Sequence, residues 1–257
     1  MDHDGPMTGG ASIEAGDRTA RAADSRATWS VFGGIVLTLL TLTLVRRAGL
    51  GGAANVAVGG AIGIGSVLAA RWVGLSWDEL GLARRHLGRG LAYGGAVLGA
   101  VAVVMAIGAA IPATRSLLDD DRAKVSAAAM WLEVLVSTPI GTVVLEELTF
   151  RSSLLGLAAR ETTTWRAVGI SSVLFGLWHI SPTLSTASGN SATSDLAANP
   201  WGLAVTVVLM VVAMTAAGYV FCWLRLRSRS VVAPMMAHLA TNSVTFFAAW
   251  MVHRYLA

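Results

Sequence analysis

One cysteine, six prolines, three tyrosines and only 13% charged residues set the first limits on this chain of 257 residues. The lone Cys222 excludes a disulfide framework within the chain and any thiolate-rich zinc site. Set inside an apolar run, it reads as a small buried hydrophobe. Charge is scarce beside the ~25% of an average soluble domain. Of the residues 54% are hydrophobic, with a mean hydropathy of +0.64. A separate soluble domain is thereby excluded, and the chain reads as a multi-pass membrane protein. The net charge of +4 does not mark a nucleic-acid partner, because the basic residues sit between apolar runs, as loop residues of a membrane protein do. No repeat of 20–50 residues is present. The glycine-rich stretch 49–65 lacks the lysine and the strand of a phosphate loop and reads as a close-packing helix face.

What is present is a series of apolar runs at 28–45, 52–72, 90–112, 126–158, 165–181, 200–224 and 230–252. Each comes near or exceeds the ~20 residues of a spanning helix. The expected fold is all-α, a polytopic transmembrane bundle of seven or eight spans. The fourth run is over-long, so it extends past the bilayer or kinks near Pro139. Residues 1–27 are polar, mixed in charge and rich in Gly and Ala. They are expected to form a disordered tail with no cleavable signal, ahead of a membrane domain at 28–257. With seven spans, Lys and Arg divide 13 to 6 between the two sides, which places the N-terminus in the cytoplasm. The basic amphipathic segment 77–89 is expected on the inner membrane surface, and 181–200 as an outer loop.

Within the apolar runs the strongly polar residues are Glu133, Glu146, Glu147, Arg151, His179, His238 and Asn242, with Asn55 and His253 near run ends. Such residues are costly in a membrane and usually face a protein interior or a wet cavity. Residues four apart share a helix face, so Glu147 and Arg151 are expected to pair and Glu146, rotated by ~100°, to lack a local counter-charge. A desolvated carboxylate of that kind is a usable base. Phe175 and His179 share a face of the fifth run, and His238 and Asn242 a face of the seventh. Counted from the cytoplasmic ends, Glu146, His179 and His238 reach similar depths, ~12–21 Å at 1.5 Å per residue. Glu133 lies 13 residues before Glu146, ~220° round an α-helix, and is expected at an outer mouth or paired with Trp or Ser on a neighbour.

These motifs, EELTFR (Glu146–Arg151), FGLWH (Phe175–His179) and HLATN (His238–Asn242), resemble the CAAX-processing and bacteriocin-processing (CPBP, or Abi) intramembrane proteases, which include type II CAAX prenyl endopeptidases. Order and spacing match over roughly 125–245, while the N-terminal half matches only in general character. The resemblance implies peptide-bond hydrolysis within the membrane. In that scheme Glu146 and His179 activate water, and His238 and Asn242 polarise the carbonyl and stabilise the oxyanion. Glu147, Arg151 and Phe175 would hold the frame. Glu146, His179 and His238 could instead be zinc ligands. The H-E-x-x-H signature is absent, however, and the one carboxylate that could support a liganding histidine, Glu147, is already claimed by Arg151. No cofactor is therefore favoured. Two other classes stay open: a non-catalytic scaffold or immunity and maturation factor of the same fold, and a proton-coupled transporter. The expected setting is a bacterial plasma membrane, with a peptide or membrane protein as substrate and no nucleic acid.

Overall fold

The first helix of the computed structural model, α1 (Gly9–Arg47), already departs from the composition. The structure describes residues 9–118, 120–186 and 199–256. Helix begins inside the segment whose polarity marks it as a disordered tail. The reason is local: Ala11, Ala15, Ala20, Ala22 and Ala23 supply the strongest helix formers, which a measure of charge and hydrophobicity overlooks. The end nearer the bundle is tied down. Ser25 Oγ donates to Glu161 Oε2 at 2.6 Å, and Arg160 pairs with Asp24 at 3.1 Å.

Five long helices follow with short connections: α2 (Gly52–Trp72), α3 (Leu87–Ala110), α4 (Ala127–Glu161), α5 (Thr164–Trp178) and, after the short α6 (Ile180–Thr186), α7 (Pro200–Ser228). The last, α8, runs through Val232–Leu239, Ala240–Val244, Thr245–Met251 and Val252–Leu256. No strand occurs among the described residues. Among the described residues, six helices are long and apolar enough to cross a membrane: α1 from Ala23, α2, α3 with the turn before it, α4, α5 with the start of α6, and α7. The seventh expected span, α8, is helical but divided into shorter segments and carries His238, Asn242 and His253. Most of the expected outer loop, 187–198, lies outside the described residues.

The over-long fourth run is one continuous helix of 35 residues, ~52 Å at 1.5 Å per residue. Its strain is taken up by winding. Two segments, Glu133–Val144 and Glu147–Leu154, are π-helical, and Pro139 sits inside the first. Proline removes one backbone donor and crowds the preceding turn, and here the helix widens around it. Such wide turns occur often at functional sites.

Small residues decide how closely helices approach α4. A Cβ on Gly59 would come 2.7 Å from the Gly141 carbonyl oxygen, and one on Gly63 2.8 Å from that of Val144. Helix α2 thus lies backbone to backbone on the first wide segment, as its glycine content suggests. Behind the second segment, Leu145, Phe150, Leu154 and Leu157 pack with Leu75, Leu80, Phe175 and Trp178 in the main core. The connection 73–86 is drawn into the protein and does not simply lie on a surface. Leu80 is fully buried, Arg225 donates to the carbonyls of Asp78 and Glu79 at 3.2 and 2.8 Å, and Ser152 donates to that of Leu80 at 2.7 Å. The amphipathic reading holds only for its exposed basic end, Arg84, Arg85 and Arg89.

Candidate active site

The two wide segments of α4 meet at Leu145 and Glu146, and the carboxylates lie just past the junction. Glu147 and Arg151 are fully buried and 3.2 Å apart, as their spacing predicts, although the contact lacks the alignment of a hydrogen bond. Arg151 gains its remaining stabilisation from aromatic faces: its guanidinium carbon is 3.8 Å from the Phe175 ring centroid and 5.0 Å from that of Phe221. Phe175 therefore acts as the bed on which the arginine rests.

Glu147 does more than its spacing suggests. His238 Nδ1 lies 2.8 Å from Glu147 Oε1, so the carboxylate serves the arginine and the histidine together. The expectation that Arg151 monopolises it is overturned, because one carboxylate oxygen can accept from two directions. Glu146 has no basic partner in hydrogen-bonding range. Oε1 accepts from the indole N–H of Trp178 at 2.9 Å, while Oε2 is buried with no hydrogen-bond partner and lies 3.9 Å from His238 Nε2.

His179 directly follows the last residue of α5. Its Nδ1 is 2.8 Å from the Phe175 carbonyl, which can only accept, so that nitrogen carries a proton, and in a neutral ring the lone pair is on Nε2. Phe175 and His179 rings stand edge to face at 4.6 Å, as residues four apart on one face should.

Glu146, His179 and Asn242 line one cavity of about 820 Å³. His238 is not part of that wall. It packs behind Glu146, against Phe175 and Phe221, with ring separations of 6.2 and 5.3 Å. Ser137, Thr138 and Glu133 line the cavity as well, with Asp120 and Arg122 from the connection between α3 and α4. Hydrogen bonds from Arg122 hold the Asp120 carboxyl below its ordinary range, against a smaller opposing effect of burial.

Glu133 corrects a geometric expectation. It lines the same cavity as Glu146 and accepts from Thr138 Oγ1 at 2.8 Å. An α-helix would turn the two carboxylates apart. A π-helix closes i→i+5 bonds and takes more residues per turn, so over 13 residues the offset shrinks from ~220° to a few tens of degrees. Trp178 and Arg46 escaped sequence reasoning altogether. Trp178 stands inside FGLWH beside the histidine, where its neighbour drew the eye, and Arg46 ends α1 among ordinary loop charges.

Residues 127–244 match the family model of Rce1-like type II CAAX prenyl endopeptidases. This part of the chain is similar to an Rce1-like domain. A search of the curated proteins and one of the solved structures return no match. The domain begins at the first residue of α4 and ends in the wide segment Ala240–Val244 of α8, two residues after Asn242. It supports intramembrane protease activity in general. It holds Glu146, Glu147, Arg151, Phe175, His179, His238 and Asn242, and leaves α1, α2 and α3 outside the match.

Proposed function

We propose that the protein is an intramembrane endopeptidase that hydrolyses a peptide bond of a membrane-associated peptide or protein. The carrying observation is that Glu146, His179 and Asn242, from three helices, border one cavity. A water held by the Glu146 carboxylate and His179 Nε2 gives its proton to that carboxylate as its oxygen attacks the carbonyl carbon. The carbonyl oxygen gains the charge, and the Asn242 carboxamide, a neutral donor, supports it, with His238 behind. When the C–N bond breaks, the proton passes to the departing amine, with His179 as the carrier. Glu147 and Arg151 hold His238 and the turn of α4 in place.

Zinc is the competing mechanism. Each histidine has its Nδ1 engaged and its Nε2 turned elsewhere, which would also suit metal ligation. Among the described residues, however, no three His, Cys, Asp or Glu side chains group closely enough to hold a metal. Our reading is a metal-independent mechanism with Glu146 as the base, which the lack of an H-E-x-x-H signature supports. The Arg-rich, Lys-poor composition, heavy in Ala, Gly and Val, supports a bacterial cell membrane, and the charge bias supports a cytoplasmic N-terminus, which puts the Arg46 and Arg122 end of the cavity on the outer side.

A peptide-library cleavage assay in detergent, with and without chelator, tests this reading. Cleavage should survive the chelator and fall ~10²–10⁴-fold in Glu146→Gln and in His179→Ala, with insertion intact. Normal cleavage in both variants would remove the assignment. Loss with the chelator would restore zinc, and uptake of solute in proteoliposomes without cleavage would favour a transporter.

A further inference from the structure

The two oxygens of Glu146 have different surroundings. Oε1 accepts the indole N–H of Trp178 at 2.9 Å, whereas Oε2 has no hydrogen-bond partner. Trp178 is 9% exposed and belongs to the main core. Over its ring stands the Arg46 guanidinium, 5.7 Å from the centroid. Arg46 is itself held from two sides: its Nε donates to Asn55 Oδ1 at 2.7 Å, and one terminal nitrogen donates to the Gly141 carbonyl at 3.3 Å. The contacts thus run from Asn55 on α2 to Arg46 on α1, Trp178 on α5 and Glu146 on α4. The first two of these residues lie outside the matched domain.

We propose that Trp178 is a positioning residue for Glu146, held by Arg46 and Asn55, so that α1 and α2 complete the active site of the Rce1-like domain. The inference rests on Glu146 being the base. A carboxylate with both oxygens free turns about its terminal bond, whereas one with Oε1 pinned aims the lone pairs of Oε2 in a fixed direction. The choice of donor matters as well. An indole N–H orients the carboxylate without neutralising it, which an arginine at that spot would do, as Arg151 does for Glu147. A cation above the indole face is attracted by its electrons and draws on them, which strengthens the N–H as a donor. The domain that carries the catalytic motifs therefore lacks one part of its own alignment, and the N-terminal helices supply it.

Trp178→Phe keeps the ring in the core and removes only the N–H. Expected is a fall in kcat of ~10- to 100-fold with KM changed less than about twofold, the pattern of a misaimed base. Arg46→Gln should lower kcat by a smaller factor and Arg46→Lys should recover part of it. The control Trp165→Phe, at a ring 74% exposed, should change neither constant. A second measurement needs no turnover: in ¹H–¹⁵N spectra of the solubilised protein, the indole signal that vanishes in Trp178→Phe should shift in Glu146→Ala and in Arg46→Gln. If that signal ignores Glu146→Ala, the proposal is overturned. Wild-type kcat in Trp178→Phe beside a dead Glu146→Gln overturns it and leaves the base assignment standing. A change in KM alone also overturns it, since that indicates a substrate contact. Should Glu146→Gln itself cleave normally, the base assignment fails first and the proposal falls with it. If Trp178→Phe does not fold, the Arg46 variants and the indole signal decide.

Discussion

His238 Nδ1 and Glu147 Oε1 are 2.8 Å apart, and this bond joins α8 to the second wide segment of α4. It completes a buried series in which Arg151, Glu147, His238 and Glu146 succeed one another at 3.2, 2.8 and 3.9 Å. The arrangement places Glu147 between the buried cation Arg151 and the histidine that faces Glu146.

Removing either end of the buried pair strands the other. Glu147→Gln and Arg151→Met should each cost ~3–5 kcal/mol of stability, because an uncompensated buried charge is left behind. The double variant should cost less than the sum of the two. Thermal unfolding in detergent across the four proteins measures the coupling.

Glu133 borders the cavity and accepts from Thr138. Glu133→Gln is expected to raise or lower KM several-fold while kcat stays within about twofold, as for a group that meets substrate equally before and at the transition state. Steady-state kinetics on one peptide substrate suffice.

Glycine packing in α2 yields a matched pair. Gly59→Ala forces a carbon to 2.7 Å from the Gly141 oxygen and should destabilise by ~1–3 kcal/mol. Gly65→Ala, on the same helix but with nothing within 4 Å of the added carbon, should be neutral or stabilising by up to ~1 kcal/mol. Unfolding midpoints of the two variants check the contrast.

On the cavity wall Asp120 titrates below its ordinary 3.8, chiefly because Arg122 hydrogen-bonds to the charged form. A folded-state value below the unfolded one gives a contribution that is present above the ordinary carboxyl pKa and is lost as pH falls through the lowered value. Amide exchange in 120–125 should therefore quicken in acid below that point, and Asp120→Asn should flatten the dependence.

The helical membrane bundle, the paired charges at Glu147 and Arg151 and the cavity-facing Glu146, His179 and Asn242 were all legible before any coordinates, because spacing on a helix and the cost of buried polarity suffice for them. Three things were not. The helix at 9–27 hid behind polar composition. The common cavity of Glu133 and Glu146 depended on π-winding, which no residue pattern announces and which made a correct α-helical calculation give the wrong face. The spacing of His238 and Asn242 predicts both on the cavity wall, but His238 sits behind Glu146, where it bonds to Glu147.

Helix α4 keeps its carboxylates aligned by how many residues fill each turn of Glu133–Val144, so its register behaves like the thread of a screw. Deleting Ser137 would let this stretch tighten toward ordinary pitch without touching a charged group. Glu146 and all that follows would then swing round by up to ~100°. Cleavage should vanish while the chain still inserts, and adding back one alanine at the same place should return it.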